Sequence, residues 1–185
     1  IVNDVTERVY YTGETYPKVY RNDGGPYRLG VPAPTTIPTV AVSGTATADA
    51  LEESRSYVVT FVTSWGEEGP PSNASTPIAI RDGQTATVSL PAIPTTSGLN
   101  FTSGALKRIY RTNTGSSSTG YQFVAEVVYT ATTHVDTLAS TALGEIIPSV
   151  SWMRPPDDDA AMASWRGSLA KHFVSVCRTY HMHGL

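Results

Sequence analysis

Four groups of side chains in this 185-residue sequence have types and spacing that chemistry can use. Cys177, His181 and His183 stand close together near the end, with His172 upstream. Thiolate and imidazole are zinc ligands, but a structural zinc site wants four, and no second cysteine or Cys-x-x-Cys pair exists. Asp157-Asp158-Asp159 offers carboxylates from one short loop, as calcium sites do. The three are consecutive, however, without the alternating spacing of an EF-hand, and read as a solvated loop or a helix start. Ser116-Ser117-Ser118 with His134 and Asp136 supplies the residue types of a hydrolytic triad. No Gly-x-Ser-x-Gly elbow surrounds any serine, and a small polar loop cannot hold an attack geometry. Glu67 and Glu68 sit side by side in one turn and point apart, so they do not make the acid pair of a glycoside hydrolase. The sequence therefore leads us to expect no catalytic, metal-binding or cofactor-binding residue, and no enzyme. Two glycosylation tripeptides, Asn73-Ala74-Ser75 and Asn100-Phe101-Thr102, are the kind that recur by chance in a Ser/Thr-rich chain.

The elements that would carry these groups are short strands. Gly, Pro, Ser and Thr are abundant, and Val and Tyr outweigh the good helix formers; that mix favours strands joined by many turns. A chain this long buries roughly 70% of its unfolded surface, enough for a core without staples. One cysteine makes no internal disulfide. Net charge is −3 with 16% charged residues, which gives no basic patch to neutralise phosphates. No apolar run approaches the ~20 residues that cross a bilayer as a helix. The sequence opens on Ile1 with no signal peptide, and reads as a piece of something longer.

Along the chain, Arg8–Thr12 and Lys18–Arg21 alternate as two short strands around Gly13 and Glu14, and 22–25 reads as a second turn. Leu29 to Pro38 holds three prolines between Pro32 and Pro38 and is an extended entrance to a domain. Thr39–Ser43 is the next strand; 46–53 has a mild helical character. Ser56–Trp65 is the clearest strand, with Tyr57, Val59 and Phe61 on one face, Val58, Thr60 and Val62 on the other, and both faces at least half covered. Pro77–Ile80 and Thr85–Leu90 are expected to form a hairpin across Arg81-Asp82-Gly83, with Ala86, Val88 and Leu90 inward. Lys107–Thr112 pairs with Tyr121–Val128, and Thr132–Asp136 is the last strand. Pro148–Pro156 closes the module; 157–163 reads as a helix start or a loop, and Leu169–Cys177 as a strand or the end of that helix. About seven strands with turn signals between them imply an all-β sandwich.

Tyr57–Thr63 followed by Gly66-Glu67-Glu68-Gly69-Pro70-Pro71-Ser72 resembles the sixth and seventh strands of fibronectin type III domains. Lys107–Thr112, Phe123–Glu126 and Thr133–Thr137 resemble the third, fourth and fifth strands, and Thr87–Leu90 the second. The order is shifted, and the resemblance implies a circularly permuted or strand-shuffled immunoglobulin-like sandwich. Such a permutation places the 57–63 strand beside the 107–112 strand in one sheet.

Tyr27-Arg28-Leu29-Gly30-Val31-Pro32-Ala33-Pro34, the Ser64–Ser72 loop, Lys107–Thr112 and Ser151-Trp152-Met153-Arg154-Pro155-Pro156-Asp157 occur in that order. Together they resemble a family of tailed-bacteriophage virion proteins of the tail and neck. The resemblance implies a sandwich at 37–149 inserted in a larger β domain. Residues 1–36 would then be the hairpin and proline-rich entrance of that host domain, and 150–185 its exit linker and part of its end. It implies a virion component made in the host bacterial cytoplasm, in the tail or neck ring or nozzle region, working without catalysis. Its partners would be other copies of itself in a ring and neighbouring tail, neck, portal/adaptor or fibre proteins. A different reading makes the chain a carbohydrate- or cell-surface-binding module in which Trp65, Tyr121 and the Ser/Thr loops grip a glycan. The interface candidates expected from the sequence are Tyr10, Tyr11, Tyr16, Tyr20, Trp65 and Trp152, because aromatics with a polar edge suit wet interfaces.

Overall fold

The computed structural model describes residues 8–12, 15–114 and 119–148. The expectations for 157–163 and Leu169–Cys177 lie outside the described residues. The chain divides into two compact units, Ile1–Leu29 with Pro155–Leu185, and Gly30–Arg154.

In the first unit β1 (Arg8–Tyr11), β2 (Lys18–Arg21) and β3 (Gly24–Arg28) form an antiparallel sheet in chain order. The first two strands lie where alternation puts them. The third is a correction: only Asn22-Asp23 turns, and Gly24-Gly25 already belong to a strand. Gly25 sits at φ +115°, a backbone state open to glycine in either a turn or a strand, so composition alone cannot choose. Val19 is buried, and the amide of Leu29 donates to the carbonyl of Pro17.

The second unit is an all-β sandwich of antiparallel sheets. Its strands are β4 (Thr39–Gly44), β5 (Glu53–Arg55), β6 (Tyr57–Val62), β7 (Ile78–Ile80), β8 (Gln84–Ser89), β9 (Leu106–Thr114), β10 (Thr119–Val128) and β11 (Thr133–Asp136). One sheet runs β10-β9-β6, the other β11-β8-β4, and β5 pairs with β7. Tyr57, Val59 and Ile109 from the first sheet bury with Ala86, Val88 and Leu90 from the second, which makes one core between the layers.

All six residues of β6 are buried. Period two sends Tyr57, Val59 and Phe61 to the core, opposite Arg111, Ile109 and Lys107 of β9. Val58, Thr60 and Val62 face outward, opposite Tyr110, Arg108 and Leu106. The expected adjacency of the 57–63 and 107–112 strands is therefore present, antiparallel and in one sheet. The far edge of β6 is covered by Gly69–Ser75, whose amides at Gly69, Ser72 and Ser75 donate to the carbonyls of Phe61, Val59 and Tyr57. Prolines 70 and 71 interrupt that ladder, and serine side chains take over part of it. The Oγ of Ser72 accepts from Val59 N at 3.1 Å and that of Ser75 from Tyr57 N at 2.9 Å.

The hairpin expected between Pro77–Ile80 and Thr85–Leu90 does not form. Gly83, at φ +87°, does reverse the chain, and Gln84 N donates to Arg81 O at 3.1 Å. But β7 pairs with β5 and β8 with β4 and β11, so the reversal carries the chain from one pairing to another. Asp-Gly chemistry fixes the turn; the apolar faces of Ile80 and Val88, both seeking the same core, decide the pairing. The 46–53 segment contains no helix; it is a loop leading into β5.

A bulge interrupts the β9–β10 register between Phe123 and Ala125. Val124 and Ala125 consequently both pack with the core, while Phe123 stays opposite Tyr110 and Glu126 opposite Arg108. After β11 a 3-10 turn, Ser140–Ala142, leads to a strap that extends the sheet beyond β10. Gly144 N donates to Phe123 O, Phe123 N to Glu145 O, and Ile147 N to Tyr121 O. Ile147 completes a small outer cluster with Val58 and Tyr110.

Candidate functional site

Two networks tie ionisable side chains of the sandwich together. The first lies between the sheets. Alternation along β9 forces Arg111 inward beside Ile109, and alternation along β11 does the same for Asp136. Both are buried, and Arg111 Nη1 meets Asp136 Oδ2 at 2.7 Å. Tyr57 donates its hydroxyl to the same oxygen at 2.8 Å, and Leu138 N donates to Oδ1 at 2.9 Å. Arg111 Nη2 then reaches Leu138 O and Ser140 Oγ, and Ser140 donates to Glu53, which Arg55 holds at 2.6 Å. A buried charge is tolerated only when so compensated.

Environment tunes these groups in opposite senses. Burial, and then the Asp136 carboxylate, push the Tyr57 hydroxyl up to about 12. Burial alone would raise Glu53, but the hydrogen bonds from Arg55 and Ser140 outweigh it and hold the carboxyl below its usual range. Burial lowers His134, which shares a face of β11 with Asp136. Burial also lowers Lys107, whose ammonium donates to Ala131 O at 2.7 Å.

The second network lies on the outer face. Glu68 receives hydrogen bonds from Thr60 Oγ1 at 2.6 Å, Tyr110 Oη at 2.7 Å and Arg108 Nη1 at 2.7 Å. Arg108 Nε also binds Glu126 at 2.7 Å, a bond that leads in keeping its guanidinium protonated. Burial and Glu68 together raise Tyr110. The Glu-Glu turn thus supplies the Glu68 carboxylate to a sheet-anchoring bond.

The residues singled out by the sequence fall as follows. Tyr10 and Tyr20 are exposed on the small sheet, while Tyr11 and Tyr16 are half-buried there. Tyr16 lies under two cations, Lys18 Nζ at 5.4 Å and Arg28 Cζ at 4.9 Å from its ring centre. Trp65 is half-buried in the turn after β6. Trp152, Asp157–Asp159, His172, Cys177, His181, His183 and Ser116–Ser118 lie outside the described residues. Asp136 is committed to Tyr57, Arg111 and Leu138. Tyr121 pairs with Thr112 and Trp65 lies beyond the Val62–Leu106 pair, so about 20 Å of strand separates them. Asn100 is buried, with its side-chain oxygen accepting from Ser64 Oγ at 2.6 Å, so its sequon is closed in the folded state. Asn73 is exposed. Among the described residues no three His, Cys, Asp or Glu side chains gather as metal ligands. No described helix is long and apolar enough to cross a membrane.

Sequence reasoning missed the inward pair Arg111–Asp136. The available signal was a charge at an inward position of each strand, two residues from Ile109 in one and one strand away from Val88 in the other. It also missed Ser72 and Ser75, whose spacing of three after Pro70-Pro71 marks hydroxyls replacing carbonyls along a sheet edge. No protein-family model matches this chain, and no curated protein matches it.

Proposed function

We propose that this chain is a non-enzymatic structural component of a tailed-phage virion, in the tail or neck ring or nozzle region, acting through protein–protein contacts in a symmetric assembly. One observation carries the reading. The division into units falls at Gly30 and Arg154, inside the Leu29-Gly30-Val31-Pro32 and Trp152-Met153-Arg154-Pro155-Pro156 strings. These are the two strings that in the resembling virion proteins lead into and out of an inserted sandwich. The neighbourhood of β6 and β9 further supports a permuted fibronectin type III-like topology for the insert. The side chains with chemical potential are engaged in holding strands together: Asp136 across the core, Glu68 on the outer face. Tyrosines remain on the small sheet for contact with neighbours, and a sheet of three short strands is marginal without such cover.

The test is protein identification in purified tailed particles from cells encoding the chain. The reading requires the chain in the particle at a fixed multiple of copies. Finding it only on the bacterial surface or bound to glycan would favour the carbohydrate-binding reading instead.

A further inference from the structure

The chain enters and leaves the sandwich at opposite edges of one sheet. In the sheet β10-β9-β6 the entry lies beyond β6 and the exit strap beyond β10. At the entry, Val31 is buried and seated on the 66–72 turn. The seat is a glycine: a Cβ on Gly69 would stand 2.7 Å from Val31 Cγ1 and 3.1 Å from Val31 O. Gly69 N donates to Phe61 O at 2.9 Å, so the seat is itself fixed to the edge of β6. The exit repeats the arrangement. Gly144 N donates to Phe123 O at 2.8 Å, and a Cβ on Gly144 would stand 3.1 Å from Phe123 Cβ and Cδ1. Neither glycine has a positive φ; each is required by a close approach.

An unbroken row of side chains joins the two edges across the outer face. Glu68, the neighbour of Gly69, accepts from Thr60 of β6 at 2.6 Å and from Tyr110 and Arg108 of β9 at 2.7 Å. The Tyr110 ring meets that of Phe123 edge-on, with 5.8 Å between centres. Tyr110 also packs with Val58 and Ile147, and Ile147 N donates to Tyr121 O at 2.8 Å. Tyr110 thus faces both ways. Its hydroxyl reaches the turn that seats Val31, and its ring backs the residues on which the exit strap lies. Close-packed side chains pass a displacement on, because they have no free volume in which to absorb it.

We infer that this row couples entry to exit, so that the two connections of the sandwich open together as one local unit while the core stays folded. When Val31 leaves its seat the 66–72 turn is freed, Glu68 parts from Tyr110, and the ring no longer backs Phe123 and Ile147. Coupling is reciprocal, so loss of Ile147 loosens Val31 in turn. A partner that grips either connection therefore acts on both. The coupling belongs to the sandwich alone and does not depend on what the chain assembles with.

Amide hydrogen exchange of the full 185-residue chain, followed residue by residue, tests it. The reporters are Gly69 at the entry edge and Gly144 and Ile147 at the exit, with Ile109 and Val88 marking the core. Val31→Ala empties the seat and is expected to speed exchange at Gly144 and Ile147 about fivefold or more, with Ile109 and Val88 at their wild-type rates. Ile147→Ala is expected to do the same to Gly69 from the other side. Tyr110→Phe keeps the ring but removes its bond to Glu68, and in that background Val31→Ala should move the entry alone. Exit amides that keep their wild-type rates in Val31→Ala overturn the coupling. So does a rise shared equally by Ile109 and Val88, which is loosening of the whole sandwich.

Discussion

The sandwich contains two arginine–carboxylate pairs with the same 2.7 Å separation and opposite surroundings. Arg111 and Asp136 are both 0% exposed at their side chains, whereas Arg108 and Glu68 keep 33% and 15%. Distance alone would rate them equal. In the interior the charges have given up water and depend on each other and on Tyr57, Leu138, Ser140 and Arg55; at the outer face solvent stands ready to replace either partner. The first pair joins β9 of one sheet to β11 of the other, so its loss strikes the packing of the layers. The second only ties the 66–72 turn to the sheet it flanks.

The sharpest way to break this comparison is Arg111→Met. It leaves Asp136 buried with only the more distant Arg55, 3.9 Å away, for a cation, and should cost about 3–5 kcal/mol in urea unfolding. Pairing it with Asp136→Leu should recover a large part of the loss, because no lone charge remains. A single-variant cost under about 1 kcal/mol would mean that the interior pair behaves like the exposed one. Next comes Ser75→Ala, which strips the acceptor from the buried amide of Tyr57 and should cost about 1–3 kcal/mol by the same unfolding measurement. A third test uses alkali. Tyr57 has its folded value raised from 10.0 to about 12, so its contribution is complete below pH 10 and is lost as pH rises toward 12. Wild type should therefore lose stability relative to Tyr57→Phe across that window, and parallel curves would contradict the assignment. The smallest effect is expected from Glu126→Gln at the outer face, about 0–1 kcal/mol and less in high salt. A larger, salt-insensitive loss there would erase the contrast between the two networks.

Much of the second unit was readable in advance because its signals are local. The apolar run of Tyr57–Val62, broken only by Thr60, announced a strand at least half covered on both faces, and Ala86, Val88 and Leu90 announced their inward direction; all are buried. What escaped was decided by partners distant in sequence. Arg81-Asp82-Gly83 signalled a reversal correctly, but whether β7 and β8 share a sheet depends on β4, β5 and β11. The bulge at Val124 has no glycine to mark it; it exists because Val124 and Ala125 both find core while Glu126 finds Arg108. Gly24-Gly25 looked like turn material and belongs to a strand. Arg111 looked like one more surface charge in Lys107–Thr112, and only the position of β11 across the core makes it a buried one. The tyrosines were legible as surface by type, and Tyr10 and Tyr20 are exposed.

The central claim is that this chain works by assembling, with the sandwich held by its interior pair and the contacts made outside it. Native mass spectrometry of the 19.8 kDa chain at rising concentration tests that most directly. The account predicts one closed species at a fixed multiple of the chain mass. A single-copy mass at every concentration would contradict it.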